Sequence, residues 1–252
     1  MKYCSDFIVT EKLTLENNFF RLKLQSDTQL PKIEGGQFVQ VLTKQNEGNS
    51  LRIPISINDV CYDTNSMFLL IQIVGEGTEA LSRTQIGEKV NIIFPLGNGF
   101  AVEGNKVLMV GGGVGVAPFL YLAKLYNKIG IKPNMLIGAR TDKHLLLLDE
   151  FAAYANVHIT TQYGSKGTKG LVTEHSILSE PFDRIYCCGP TPMMKAVAVM
   201  AIKSNTPCYL SLEESMACGV GACLCCVVET TDGHNRCTCT EGPVFSALEL
   251  YK

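Results

Sequence analysis

The first hundred residues alternate short runs of β-branched, aromatic and leucine residues with turn-forming residues. Six such runs predict strands at residues 7–15, 19–24, 37–43, 53–57, 68–74 and 89–94. Short strands at this spacing, without long helical periods between them, favour an antiparallel β barrel. We therefore expect a barrel domain over residues 1–102.

The pattern changes after Gly104. An apolar strand at 107–110 precedes a helical period at 117–128, and strand and helix signals then alternate at 135–139, 145–154, 157–161, 185–188 and 192–204. Such alternation predicts a parallel sheet with helices on its faces. We expect an α/β, Rossmann-like nucleotide-binding domain over residues 103–213 and a small segment rich in cysteine and glycine over 214–252.

Charge and hydropathy narrow the class of protein. The formal net charge is −2 and no long run of lysine or arginine occurs, so nucleic acid is not an expected partner. The first ten residues lack the basic start and long apolar stretch of a signal peptide, and no apolar run reaches membrane-spanning length. We expect a cytoplasmic protein without a membrane partner.

Six of the eleven cysteines crowd into residues 218–239. Cys218, Cys223 and Cys226 with a fourth cysteine downstream follow the C-x4-C-x2-C…C spacing of plant-type [2Fe–2S] sites. Glycines at 219 and 221 allow backbone N–H groups to approach sulfur. The alternative is a zinc site built from the Cys-x-x-Cys and Cys-x-Cys pairs, which leaves Cys218 and the glycines unexplained. Cys225 and Cys237 compete for ligand positions.

A second motif joins the strand at 107–110 to the helical period that follows. Gly111, Gly113 and Gly115 lie between them, where glycines allow the backbone to approach a dinucleotide pyrophosphate and the helix start offers unpaired N–H groups. The alternative is a tight strand-to-helix turn without a ligand. We interpret the motif as a nucleotide site because it has a strand before it and a helix after it.

Weaker candidates lie elsewhere in both domains. Cys188-Gly189-Pro190 ends a predicted strand, where a nicotinamide could bind, although these residues could simply turn the chain. Arg52 and Ser56 on a barrel strand, and the glycine turn at 74–82 with Thr78 as helix cap, could hold a flavin phosphate. The alternatives there are an exposed strand charge and an ordinary cap.

Together these motifs resemble the ferredoxin–NADP reductase superfamily, which pairs an FAD-binding barrel with a nucleotide-binding α/β domain. Within it, Arg-x-Pro-Ile-Ser at 52–56, Gly-x-Gly-Thr at 75–78, Pro-Leu-Gly-Asn-Gly-Phe at 95–100, the glycine motif at 111–118 and Cys-Gly-Pro at 188–190 are similar to the electron-transfer subunits of NAD-dependent (type B) dihydroorotate dehydrogenase. The segments 214–226 and 239–245 carry the most specific similarity. The resemblance spans the whole chain.

The resemblance implies three sets of site residues. The fourth cluster ligand of the family stands two residues before the acidic residue of Glu-Gly-Pro-Val-Phe, which selects Cys239 over Cys237. The implied sets are Cys218, Cys223, Cys226 and Cys239 for [2Fe–2S]; Arg52, Ile53, Pro54, Ile55, Ser56, Leu70, Ile71, Gln72, Gly77 and Thr78 for FAD; and Gly111, Gly113, Gly115, Cys188, Gly189 and Pro190 for NAD.

The resemblance also implies a function. An FMN-containing dihydroorotate dehydrogenase catalytic subunit would oxidise dihydroorotate in pyrimidine biosynthesis, and electrons would pass through [2Fe–2S] and FAD of this chain to NAD⁺, within a heterotetramer. We find no residues here suited to dihydroorotate oxidation, so that step requires the partner. The alternatives are a related subunit of a ferredoxin–NADP oxidoreductase or sulfide dehydrogenase complex, and a zinc-stabilised nucleotide-sensing module without redox chemistry.

Two positions depart from the family pattern. The family usually has a second arginine at the position of Ile53, where it contacts the flavin pyrophosphate, whereas this chain has only Arg52. The stretch from Gln162 to Ser165 carries no acidic residue, although relatives often have one or two there. A preference for NAD over NADP therefore follows from the resemblance alone.

Overall fold

The structure is a computed structural model that describes residues 1–43 and 51–252. In these ranges, six strands close into an antiparallel barrel in the order β1-β2-β5-β4-β3-β6. This confirms the barrel predicted from the hydrophobic pattern. The strands are β1 (Tyr3–Thr14), β2 (Phe19–Gln25), β3 (Phe38–Leu42), β4 (Ile53–Cys61), β5 (Ser66–Gln72) and β6 (Lys89–Leu96).

Alternation along β3 divides its side chains between two environments. Val39 and Val41 belong to the apolar core inside the barrel, while Phe38 packs in a separate apolar cluster with Cys226 and Cys239. Because successive side chains on a strand point to opposite faces, Phe38 and Gln40 share the outer face of the barrel. The cysteine-rich segment covers this face.

A short helix, α1 (Glu76–Ser82), follows the last residues of β5. Its N-cap residue is Gly75, and Thr78 lies in the first turn, so the expectation that Thr78 is the cap is wrong by three positions. The Thr78 hydroxyl accepts the backbone N–H groups of Val74 at 2.9 Å and Gly75 at 3.2 Å. It therefore still closes the turn that leads into the helix.

The second sheet has the strand order β10-β9-β8-β7-β11-β12-β15 and is parallel except for its edge strand β15 (Val244–Ser246). Helices cover it, as the alternating pattern predicted. The elements are β7 (Val107–Gly112), α2 (Phe119–Lys128), β8 (Asn134–Ala139), α3 (Leu148–Tyr154), β9 (Asn156–Thr161), β10 (Thr168–Lys169), β11 (Arg184–Cys188), α4 (Thr191–Lys203) and β12 (Cys208–Ser211). No helix within the described ranges has the length and hydropathy needed to span a bilayer.

The C-terminal segment is attached to both sheets. It contains a hairpin of β13 (Val227–Glu229) and β14 (Asn235–Cys237), then β15 (Val244–Ser246) and α5 (Ala247–Leu250). Strand β15 pairs antiparallel with β12, and an isolated bridge joins Pro243 to Asn98 next to the barrel strand β6. The cysteine loop, residues 218–226, is thereby held between the barrel and the edge of the parallel sheet.

Polar contacts fix the barrel against the nucleotide-binding domain. The amide Nδ2 of Asn58, on β4, donates to the backbone oxygen of Ala117 at 2.9 Å. Asp59, the next residue, forms an ion pair with Lys124 of α2, with Oδ2 2.5 Å from Nζ. Strand β4 therefore lies directly beside the turn that connects β7 to α2.

Candidate cofactor sites

The four cysteines predicted as cluster ligands form two pairs. The Cys218 side chain interacts with that of Cys223, and the Cys239 side chain interacts with that of Cys226. The Cys239 thiol also interacts electrostatically with Cys218. Two adjacent thiol pairs fit the ligand demand of a [2Fe–2S] group, in which four thiolates are shared by two irons.

Backbone N–H groups of the glycine-containing loop converge on the Cys218 sulfur. Those of Val220, Ala222 and Cys223 lie 3.4, 3.3 and 3.4 Å from Sγ. These bonds, led by the one from Val220, lower the pKa of the Cys218 thiol to about 6. Gly219 and Gly221 have positive φ values of 67° and 88°, which the loop needs to direct its N–H groups inward. The loop is thus built to stabilise an anionic sulfur.

The second pair is buried against the barrel. Cys226 and Cys239 pack with Phe38 of β3 and Leu96 of β6, and Cys239 is 0 % exposed. Burial, followed by the neighbouring Cys226 thiol, raises the pKa of Cys239 to about 12. One side of the predicted ligand set therefore faces solvent and the other faces the barrel wall.

The two additional thiols of this region have different surroundings. Cys225 is exposed, and Cys237 is half-buried on β14 with its backbone N–H donated to Glu241 at 2.7 Å. Burial, followed by the neighbouring Cys226 thiol, raises the pKa of Cys237, which also interacts electrostatically with Cys218 and Cys223. Among the described residues, no three His, Cys, Asp or Glu side chains are grouped around a single metal position.

The predicted nucleotide motif opens onto a cavity of about 710 Å³ between the two domains. Gly113, Gly115, Gly189 and Pro190 line the cavity, together with Gly112. Gly111 does not line it; a Cβ there would lie 2.8 Å from Val116 Cγ1, so this glycine permits close packing behind the turn. A cavity of this size and position suits a nucleotide.

Cys188 lies behind the cavity wall. It is 1 % exposed, and burial, followed by the nearby Glu213 carboxylate, raises the pKa of its thiol. Glu213 lines the cavity and is accessible from it, and desolvation by the surrounding protein raises its pKa. Sequence reasoning missed Glu213, although its place just beyond β12, at the carboxyl edge of the parallel sheet, is where such a site residue is expected.

The far end of the cavity, below the carboxyl ends of β8 and β9, is lined by Arg140, His144 and Gln162. The His144 ring lies 2.8 Å from the Thr141 hydroxyl. No acidic side chain lines this end in the described part of the chain. The described residues at this end of the cavity therefore include no carboxylate that could bind a ribose hydroxyl.

The predicted flavin residues of β4 divide between the two faces of the strand. Pro54 pairs with Gln40 and Ser56 with Phe38, so they share the outer face of the barrel. Ile53 and Ile55 point to the opposite face, where Ile55 packs against the barrel core. The five consecutive side chains of residues 52–56 therefore cannot all contact a ligand bound on one face of the strand.

Arg52 is engaged in contacts of its own. Its guanidinium donates to Asn91 Oδ1 at 2.5 Å and to the Asn91 carbonyl at 3.1 Å. A further bond reaches the Gln40 carbonyl at 3.3 Å. These contacts tie β4 to β3 and β6, and they do not favour a role in holding a phosphate.

The remaining predicted flavin residues lie on β5 and α1. Gln72 lines the cavity with Phe19 of β2, whereas Leu70 packs in the core shared with the nucleotide-binding domain and Ile71 in the barrel core. Gly77 and Thr78 lie in the first turn of α1, with the Thr78 hydroxyl occupied by backbone groups. Of the predicted flavin residues, Gln72 is the one that lines the cavity.

The three regions follow one another around the barrel. Strand β3 packs against the cysteine loop, β4 carries the predicted flavin residues, and β5 contributes Gln72 to the cavity; these strands are successive neighbours in the barrel. Neighbouring strands lie about 4.8 Å apart. The cysteine cluster, the flavin strand and the nucleotide cavity are therefore adjacent in that order.

Comparisons with known proteins give the same assignment. A family model described as the iron-sulfur cluster binding domain of dihydroorotate dehydrogenase B matches residues 213–251, and one described as the oxidoreductase NAD-binding domain matches 109–199. The dihydroorotate dehydrogenase B (NAD(+)), electron transfer subunit of Lysinibacillus sphaericus is 39% identical over 246 residues, 94% of each chain. That of Caldanaerobacter subterraneus is 41% identical over 229 residues, covering 85% of this chain and 86% of the relative.

This chain belongs to the dihydroorotate dehydrogenase B electron transfer subunits. The resemblance seen in the sequence motifs is thereby confirmed. A solved structure of an NADH-dependent reduced ferredoxin-NADP oxidoreductase, studied for flavin-based electron bifurcation, superposes with a TM-score of 0.87 at 29% identity over 97% of this chain and 89% of its own. The cytochrome b5 reductase domain of Ulva prolifera nitrate reductase, at 17% identity and a TM-score of 0.67 over 81% of this chain and 93% of its own, shares the fold.

Two further residues of this family member were not singled out from its sequence. Phe19 lines the barrel side of the cavity, and Gln40 is fully buried beneath the cysteine loop. Phe19 follows two asparagines, and in the sequence it has no feature that distinguishes it from an ordinary strand residue. The alternation Phe38, Gln40 against Val39, Val41 was visible in the sequence, but a polar residue on the outer face of a barrel strand is normally in water.

Proposed function

We propose that this chain carries electrons out of a dihydroorotate dehydrogenase B complex, through a [2Fe–2S] cluster and FAD, to NAD⁺. The observation that carries the proposal is the succession of cysteine loop, flavin strand and nucleotide cavity on β3, β4 and β5. When bound, the cluster passes single electrons, and the flavin exchanges both single electrons and a hydride with nicotinamide. The division into residues 1–102, 103–213 and 214–252 is part of this proposal.

The cysteine loop provides the cluster site. Cys218, Cys223, Cys226 and Cys239 are the proposed ligands, because they form the two neighbouring thiol pairs. The loop N–H groups around Cys218 offset the negative charge of a bound thiolate. The barrel wall behind Cys226 and Cys239 keeps water from that side of the site.

The cavity provides the nucleotide site. We infer that the turn at 112–115 takes the pyrophosphate of NAD, since a Cβ at Gly113 would meet nothing within 4 Å and the backbone there is open to a ligand. Gly189 and Pro190 would border the nicotinamide, with Glu213 nearby. The barrel side of the same cavity, at Phe19 and Gln72, would face the flavin.

The proposed FAD site relies on hydrogen bonds from the backbone more than on charged side chains. With Arg52 engaged by Asn91 and isoleucine at position 53, no side chain of this strand supplies a free cation to the pyrophosphate. We infer that backbone groups of the predicted flavin segments, at residues 53–56 and in the turn at 74–78, supply most of the polar contacts. This arrangement holds an anion by hydrogen bonds without a salt bridge.

The partner is proposed to be an FMN-containing catalytic subunit, within a heterotetramer. The names of the relatives describe an electron transfer subunit, which implies a catalytic one. Val220 and Leu224 of the cysteine loop are 41 % and 62 % exposed, so the loop presents apolar side chains beside the solvent-facing thiol pair.

All eleven cysteines are free, which suits the reducing environment of a cytoplasmic protein.

A second candidate is a subunit of a reduced ferredoxin–NADP oxidoreductase. The superposition on that structure over nearly the whole chain, at 29% identity, favours it as the alternative. Electron donors distinguish the two functions, because dihydroorotate with the catalytic subunit supports the first and reduced ferredoxin supports the second.

The deciding experiment starts with anaerobic purification alone and with a co-expressed catalytic subunit. We expect one FAD, two irons and two sulfides per chain, absorption that NADH bleaches, and dihydroorotate-dependent reduction of NAD⁺ only with the partner. Cys239→Ser should lose iron and sulfide, while the matched Cys237→Ser should keep both. Zinc without flavin in the unaltered protein would refute the proposal, and cluster loss in Cys237→Ser alone would refute the ligand assignment.

A further inference from the structure

Gln40 is a fully buried polar residue in an unusual position. It lies at the centre of β3, paired with Pro54 of β4 and Ile93 of β6, and is 0 % exposed. Its side chain is on the outer face of the barrel with Phe38, which packs against Cys226 and Cys239. The cysteine loop thus removes from water an amide that the barrel alone would leave solvated.

The side-chain amide of Gln40 has no hydrogen-bond partner within the described protein. Both Nε2 and Oε1 are buried without a partner. Buried amides in folded proteins are almost always paired, because the lost bonds to water are otherwise not replaced. A buried, unpaired amide beside the predicted cluster ligands therefore indicates a hydrogen-bond partner on the bound cofactor.

The amide lies directly against Gly219, the first glycine of the cysteine loop. A Cβ placed on Gly219 would be 2.6 Å from Gln40 Cγ, 2.8 Å from Nε2 and 3.0 Å from Cδ. Gly219 follows Cys218, so Nε2 is next to the loop whose N–H groups surround that sulfur. Residue 219 has to be glycine for two reasons, its φ of +67° and the space that Gln40 occupies.

We propose that Gln40 donates a hydrogen bond from Nε2 to a sulfur atom on the Cys218 side of the bound [2Fe–2S] group and so raises its reduction potential. The inference rests on the proposed cluster and assigns to a barrel residue a role in the electronic properties of the C-terminal segment. A donor to sulfur stabilises the reduced cluster more than the oxidised one, because the reduced form carries one more negative charge. The cluster loop supplies the ligands, and the barrel supplies this donor.

A structural role would predict something different. If Gln40 only filled space, an apolar side chain of equal length would pack as well and leave the potential unchanged. Gln40→Met keeps the length and removes the donor. Gln25→Met is the matched control, because Gln25 is an exposed residue of the same barrel whose amide donates to the Thr64 carbonyl.

The experiment is a redox titration of the complete protein, monitored by electron paramagnetic resonance of the reduced cluster. We expect Gln40→Met to shift the one-electron equilibrium about tenfold against reduction, which is about 59 mV more negative, and Gln25→Met to leave it unchanged. Equal potentials in Gln40→Met and the unaltered protein would overturn the role of Gln40.

A second measurement does not depend on the variant retaining its cluster. In unaltered protein labelled with ¹⁵N in glutamine side chains, electron–nuclear double resonance should show one coupled amide nitrogen near the reduced cluster. The coupling should persist in Gln25→Met, and its absence from the unaltered protein would overturn the proposal. Absence of iron and sulfide from the unaltered protein would refute the cluster as well, which separates the failure of the proposed function from that of Gln40.

Discussion

Gly115 in the turn between β7 and α2 lies against the backbone of Cys188 at the end of β11. A Cβ at residue 115 would be 2.6 Å from the Cys188 carbonyl carbon and 2.6 Å from Gly189 Cα. The glycine is required here by contact between two loops, because its own φ is not in the left-handed region. These loops form adjoining walls of the nucleotide cavity.

Gly115→Ala should therefore weaken NADH binding by at least tenfold, or about 1.4 kcal/mol, because the two walls must separate. Isothermal titration calorimetry with NADH measures the effect. Gly130→Ala is the control: it has a φ of +80° and no neighbour within 4 Å of the new Cβ, and it lies in a turn after α2. It should cost stability of about 1–2 kcal/mol without changing NADH affinity. Unaltered NADH affinity in Gly115→Ala would contradict this reading.

Arg52→Ala should behave as a structural change. Loss of the bonds to Asn91 should reduce the free energy of unfolding by about 1–2 kcal/mol, while FAD affinity changes by no more than about threefold. Asn91→Ala should give the same pattern, since it removes the Oδ1 atom that accepts from the same guanidinium. Denaturant titration and fluorimetric FAD titration test both quantities. A tenfold loss of FAD affinity in Arg52→Ala alone would show that this arginine does contact the flavin.

Lys124→Met should destabilise the junction between the domains. It leaves the Asp59 side chain, 8 % exposed, without its ion-pair partner, and Oδ1 of this carboxylate is already unpartnered. We expect a loss of about 2 kcal/mol in the free energy of unfolding, below the 3–5 kcal/mol range for fully buried pairs because Lys124 is partly exposed.

The control for this prediction is Arg83→Met, which removes an exposed ion pair between the C-cap residue of α1 and Glu79. It should cost less than about 0.5 kcal/mol. Adding Asp59→Asn to Lys124→Met should restore part of the lost stability, because the unpaired charge is then absent. Equal losses for the two single variants would contradict the importance of the domain junction.

His158 should make stability depend on pH. Burial, followed by repulsion from His175, whose ring centroid is 5.7 Å away, lowers the pKa of His158. The unfolded chain then binds more protons than the folded one just below the ordinary pKa of about 6.5, so stability falls as pH decreases through that region. His158→Gln should lose less stability between about pH 7.5 and 5.5 than the unaltered protein.

Thermal unfolding across this pH range measures the difference. His234→Gln, on an exposed turn before β14, is the control and should retain the pH dependence of the unaltered protein. A pH dependence that is the same in His158→Gln and the unaltered protein would show that other groups dominate the titration.

Some strands could be predicted from local pattern because short runs of apolar and β-branched residues bounded by turn residues are typical of buried strands. Strands β3 and β7 are examples, and both occur where predicted. Strand β15 was not predicted, since three residues after a proline carry too little pattern, and it forms because the edge of β12 is available to pair. Likewise, β4 extends to Cys61, beyond the predicted end at residue 57, because its partner β5 continues the ladder.

The order of the domains, the cysteine spacing and the glycine turn follow from the amino-acid sequence, since each depends on residues that are close along the chain. Three contacts became visible in the folded chain: Arg52 is bound by Asn91, Glu213 lines the nucleotide cavity and Gln40 is buried under the cysteine loop. These relationships join residues from about 40 to over 170 positions apart, brought together by barrel closure and by domain packing. Local pattern carries no information on such pairs, because solvation and partners at each position are set by what the rest of the fold places there.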